Sequence, residues 1–227
     1  MLFARLAALL LLPLALSSCV LSPGKFTSTL TIDADRHFAF SYAGEVINAE
    51  ADNGATTNDG DDPKQGAREK ARKKAEADTK NRALAAALSK EAGYRKVAYL
   101  GDGVFMIDYA ISGTLDHSFV WPFNIDAEVI LPFVAIELRQ DGIVRVKAPA
   151  FGDEGSKGAP AMSGMPGGEM MKGPNRLDGT FILDTNATII SQNEEAGVQS
   201  AGGRNIIVWH ATPALKSAPT AVLRLGS

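Results

Sequence analysis

Few residues in this 227-residue chain have both the type and the spacing to do chemistry. The one cysteine, Cys19, follows an apolar run in the stretch Leu16-Ser17-Ser18-Cys19-Val20. A single thiol can form no intramolecular disulfide, so the rest of the chain must be held by its core. Four of the six methionines, Met162, Met165, Met170 and Met171, fall within ten positions, and soft thioethers are the ligands that select Cu(I). Three histidines, His37, His117 and His210, lie in or near strand patterns, and no Gly-x-Ser-x-Gly elbow marks a nucleophile beside them. Glu194 and Glu195 are adjacent in a Gln-Asn-Glu-Glu turn and point apart, which suits solvation better than paired acid–base work.

Two further stretches invite a ligand and fail on spacing. Asp59, Asp61 and Asp62 suggest calcium, but an EF-hand loop begun at Asp59 would place Pro63, Lys64 and Lys70 at its fifth, sixth and twelfth positions, where an oxygen ligand, Gly and Glu are needed. These carboxylates sit just before a helix and suit its free backbone donors and positive dipole end. Gly164–Gly168 lacks the preceding strand and following helix that let a Gly-rich turn cradle phosphate.

The elements that must carry these residues follow from periodicity. Residues 26–42 alternate, with Phe26, Leu30 and Ile32 on one side, Thr27, Thr29 and Thr31 opposite, and Phe38, Phe40 and Tyr42 after an Asp-rich turn. Such a period of two predicts a hairpin. Residues 64–92 are rich in Ala, Lys, Arg and Glu and predict one long helix, with Ala77, Leu84, Leu88 and Ala92 on a face that can dock on a sheet. Over 64–93 nine Lys or Arg stand against four acids, while 45–62 holds six acids and no base. That helix reads either as a solvated face balanced by the acidic stretch or as a basic surface for anionic lipid headgroups or a partner.

Strands return from Tyr94. Phe105, Ile107, Tyr109 and Ile111 share a face, and two alternating runs flank the turn signal Asp141-Gly142. The segment Phe119–Phe133, with Trp121-Pro122-Phe123 and Pro132-Phe133, is unusually apolar; it is either buried or the mouth of a greasy ligand site, and a bound lipid would lie against it and Trp121. Residues 149–176 are dominated by Gly, Pro, Met and small residues and predict a long loop. Three strand signals close the chain, Thr180–Leu183 continuing to Ile190, Asn205–His210 and Ala221–Leu225. Strands, one long helix, then strands predict an α+β domain, an antiparallel sheet with the helix packed against it, and not parallel βαβ winding.

The leader reads as a secretory signal. Arg5 precedes an apolar run from Leu6 to Leu16, then come small residues, and the run is too short to span a bilayer stably. No later run of about twenty apolar residues occurs. Leu16-Ser17-Ser18-Cys19 resembles the lipobox of bacterial lipoproteins. The resemblance implies cleavage before Cys19, a diacylglycerol thioether on its thiol and an acyl chain such as palmitate on its new amino group. Several acyl chains hold a protein on a membrane far better than one. Val20 in place of Asp implies, by the family's sorting rule, the outer membrane with the domain facing the periplasm. Residues 1–18 are then the signal peptide and 19–227 a single periplasmic domain.

The stretches LSPGKFTSTLTIDADRHFAFSYAGEV and IIVWH…APTAVLRL also resemble small uncharacterised lipoproteins of Gram-negative envelopes, a likeness that transfers no functional residue. The formal net charge of −3, or −4 without Arg5, gives no bulk attraction to nucleic acid. The expectation is a non-enzymatic binding or assembly role at the membrane, with a lipid ligand or an envelope protein as partner and no cofactor. A copper-handling lipoprotein using the four loop methionines is the alternative, and an uncharacterised enzyme the third.

Overall fold

The computed structural model of the chain describes residues 21–48, 63–122, 132–152 and 176–226. Strands β1 (Leu21–Ile32) and β2 (His37–Asn48) form the expected first hairpin, followed by α1 (Pro63–Leu88), β3 (Tyr94–Gly101) and β4 (Val104–Thr114). Then come β5 (Phe119–Trp121), β6 (Val134–Leu138), β7 (Ile143–Lys147), β8 (Asp178–Thr185), β9 (Thr188–Gln192), β10 (Gln199–Ala201), β11 (Arg204–Ala211) and β12 (Thr220–Arg224). The result is mostly β with one helix packed against sheet, which fits the α+β class.

The strands form two sheets where the sequence suggested one. Seven strands run in the order β10-β11-β8-β1-β2-β4-β3 and five in the order β5-β6-β7-β12-β9. Alternation in each sheet sends its apolar residues to one face, and these two faces meet as a single core. Aromatic rings cross the gap between sheets: Phe40 lies 5.4 Å and Tyr42 4.5 Å from Trp121, and Phe151 stacks on Phe26 at 4.3 Å. All of these side chains are buried, and such rings dominate core energetics.

Three expectations need correction. The stretch read as one strand from Thr180 to Ile190 is two strands in different sheets, because the chain crosses between layers at Asn186 and Ala187. Thr185 secures the crossing: its buried hydroxyl donates to the Ile32 carbonyl and accepts from Ala187 N at 3.0 Å. The large sheet is also not wholly antiparallel, since β8 pairs with β1 in parallel, from Lys25 with Asp178 to Ile32 with Thr185. The helix stops at Leu88 and does not reach Ala92, as Gly93 turns the chain with φ +89°. A Cβ on Gly93 would lie 2.5 Å from the Tyr109 ring, so both conformation and space require glycine there.

Helix α1 covers the inner face of the large sheet beside β3. Leu88 and Ala85 are buried and Leu84 packs on the core. The sequence pattern missed the polar part of this face. Tyr99 of β3 donates its hydroxyl to Asp78 and accepts from Gly103 N at 3.1 Å, Asn81 contacts it at 3.4 Å, and Arg82 stacks over the ring at 5.9 Å. The hairpin turn at Asp141-Gly142 is as expected: both residues have positive φ, the conformation that turns of this length favour. The chain end is also held in place, as Leu225 N donates to the Gly142 carbonyl and Gly226 N to that of Ala34, both at 2.9 Å.

Candidate functional site

Residues with catalytic potential do not converge. His37, at the start of β2, has its Nδ1 3.3 Å from Asp33, and exposed His117 pairs with its neighbour Asp116. His210 projects from the outer face of β11, remote in register from both. The Asp33 carboxylate also faces Arg204 at 2.9 Å, and Arg204 Nε donates to Asp184 at 2.6 Å. This ion-pair group ties the β1–β2 turn to β8 and β11, and the two carboxylates hold the Arg204 guanidinium above its ordinary pKa. Glu194 turns back within its own loop, where its Oε1 accepts from Ala196 N at 3.2 Å. Among the described residues no group of three or more His, Cys, Asp or Glu could hold a metal ion.

The core-facing phenols, Tyr42 and Tyr109 buried and Tyr94 half-buried, are held neutral. Burial pushes Tyr42 well above its ordinary value, and it pushes Tyr94 and Tyr109 up as well. Tyr42 instead donates to the Glu45 carbonyl at 2.7 Å. On the outer face of the small sheet, Glu137 bonds Lys147 and Arg139, each at 2.6 Å, with Arg145 at 3.8 Å. Those hydrogen bonds pull its carboxyl down to about 2.

The apolar segment read as either buried or a ligand mouth is core where it is described. Phe119 and Trp121 face inward between the sheets, Phe119 against Phe38 at 5.5 Å and Trp121 against Phe133 at 5.4 Å. Trp121 and Phe133 are buried, whereas Val120 between the two inward rings points outward. Residues 123–131 lie outside the described residues. So do Cys19 with the leader, the acidic residues 49–62, and the methionines Met162, Met165, Met170 and Met171 in 153–175.

What the structure does assemble is one end of the large sheet. Leu21, the first residue of β1, pairs with Asn48, the last of β2, and Asn48 N donates to the Gly103 carbonyl at 2.9 Å. Gly103 belongs to the β3–β4 turn, where exposed Asp102 pairs with Lys74 of α1. Lys74 draws the Asp102 carboxyl below its usual range, and Asp102 raises the Lys74 ammonium in return. Leu100, just before the turn, is 61 % exposed. From Leu88 beside the start of β3 to Lys74 at its end, α1 runs antiparallel to β3. Its first eleven residues, 63–73, continue about 16 Å past the turn at 1.5 Å per residue.

No protein-family model matches the chain, and no curated protein matches it in sequence. Among solved structures, the folded domain of the Mycobacterium tuberculosis protein LppM aligns over 91% of this chain and 92% of its own, with 14% identity and a TM-score of 0.36. A two-domain M1 zinc metallopeptidase bound to L-arginine aligns over 90% of this chain and 42% of its own, with 8% identity and a TM-score of 0.30. An M1 zinc metallopeptidase from Deinococcus radiodurans aligns over the same shares, 90% and 42%, with 9% identity and a TM-score of 0.30. These scores carry no function to this chain. Among the described residues no helix is long and apolar enough to cross a membrane.

Proposed function

We propose that this chain is a bacterial envelope lipoprotein, anchored by acyl chains on Cys19, whose folded part has a non-enzymatic binding or assembly role at the membrane surface. The observation that carries this reading is the position of Cys19. It ends a secretory leader in a lipobox-like Leu-Ser-Ser-Cys and lies only two residues before β1 begins at Leu21. Covalent geometry then keeps its Cα within about 7 Å of that of Leu21. A lipid at that thiol would hold the sheet against the bilayer with almost no linker. Val20 after the cysteine supports the outer membrane, facing the periplasm.

Metabolic labelling with an alkyne analogue of palmitate in a Gram-negative host tests the anchor. The wild-type chain incorporates the label and fractionates with the outer membrane, and Cys19→Ser abolishes incorporation. Equal labelling of both, or labelling of neither, would refute the lipid anchor.

A further inference from the structure

We propose that the basic first half of α1 is a second membrane contact, reaching the anionic phospholipid headgroups of the bilayer that holds the Cys19 anchor. The inference rests on the reading of Cys19 as lipidated and adds an orientation and a lipid class to it.

Charge and position carry it together. Between residues 63 and 74 the helix has six Lys or Arg and one acid, Glu69; from 75 to 88, Lys80 and Arg82 are balanced by Glu76 and Asp78. The excess positive charge is therefore confined to the part that runs from the β3–β4 turn, where Lys74 sits, outward past it. Lys73 pairs with Glu69 at 2.9 Å and Arg72 with Glu76 at 3.1 Å, exposed pairs that compete poorly with a dense anionic surface. Arg68 and Lys70 are exposed and take part in no ion pair among the described residues.

The overhang lies at the end of the sheet where the anchor would attach. Strand order β1-β2-β4-β3 sets the β3–β4 turn two to three strand spacings from Leu21, about 10–14 Å. A lipid on Cys19 fixes a bilayer at that end, so the helix strip meets headgroups within reach of its charge, which acts over about 10 Å in 0.1 M salt. The covalent tether also makes the contact intramolecular, so a few cations suffice where a free peptide would dissociate. An acidic protein would have to find the strip by diffusion, whereas the anchor brings the bilayer to it.

The test uses mature chain purified from membranes, its Cys19 adduct checked by intact mass, and reconstituted into vesicles of phosphatidylcholine alone or mixed with phosphatidylglycerol. Lysine acylation by a water-soluble reagent is followed peptide by peptide. With phosphatidylglycerol present, Lys70 and Lys73 should label about fivefold more slowly, the effect of about 1 kcal/mol per surface cation. Lys90, past the other end of the helix, and Lys147 on the small sheet should label alike in both vesicles. High salt should abolish the difference, and Lys70→Glu should weaken the remaining protection at Lys73.

Equal labelling of Lys70 and Lys73 in the two vesicles, with the adduct present, would overturn the headgroup contact and leave the anchor standing. That is also the result expected if acidic residues 50–62 neutralise the helix or if its partner is a protein. A chain without the adduct would overturn both readings together.

Discussion

Asn48 Nδ2 donates to Asn81 Oδ1 at 3.2 Å, so the last residue of β2 is joined to the second half of α1 by a contact buried from solvent. Leu21 lies beside Asn48 in the sheet, and the helix is thereby fixed to the strand end nearest Cys19. A hydrogen bond inside the fold is worth little net, but losing one partner in a buried place is expensive.

Asn81→Ala should therefore lower stability by about 1–3 kcal/mol in urea unfolding. It should also speed amide exchange along the first half of α1. An unchanged midpoint with unchanged exchange would show that Leu84, Ala85 and Leu88 alone hold the helix.

Trp121 makes a second prediction because its role is packing between sheets. Its ring lies within 4.5 to 5.4 Å of those of Phe40, Tyr42, Tyr109 and Phe133. Trp121→Ala should cost about 3–5 kcal/mol, the range for emptying a large aromatic site in a core. Calorimetry that shows a fold of nearly wild-type stability would mean the site collapses around the gap or was never tightly filled.

Glu137 gives a pH prediction. Lys147 and Arg139 hold its folded pKa down to about 2, below the ordinary glutamate value of 4.5. The unfolded chain thus takes up this proton first as pH falls. The stability from Glu137 is complete above about pH 4.5 and is lost as pH falls toward 2. The group is accessible to solvent and screened, so its contribution is at most about 1 kcal/mol. Thermal melts of wild type and Glu137→Gln should differ at pH 6 and converge near pH 2, and a constant difference across that range would exclude the ion pairs as its source.

How much of this was legible in the sequence divides along local and non-local lines. The Asp141-Gly142 turn and the alternation of Phe38, Phe40 and Tyr42 are set by neighbouring residues, and both stand as read. Neither the parallel pairing of Leu30 with Leu183 nor the two-layer arrangement that brings Tyr42 against Trp121 was legible, because each joins positions far apart in sequence. The crossing at Asn186 and Ala187 was hidden too, since apolar residues at 181, 183, 187 and 189 read as one nearly continuous pattern. The sequence left Trp121 either buried or on a ligand wall, because a run of apolar residues looks the same whether it faces a ligand or a second sheet. The polar seam of Asp78, Asn81 and Tyr99 escaped because its residue types equally suit an exposed helix face. For the candidate site, the lipobox-like stretch and the basic helix were visible one by one. Their shared end of the sheet emerged only from the register of Leu21 with Asn48 and the pairing of Lys74 with Asp102.

The most direct measurement is the intact mass and N-terminal peptide of the mature chain purified from the membranes of a Gram-negative host. Anchoring through Cys19 predicts a chain that begins at Cys19 and carries the mass of a diacylglycerol thioether with an additional amide-linked acyl chain. A mature chain that begins elsewhere, or one whose Cys19 thiol is free, would contradict it.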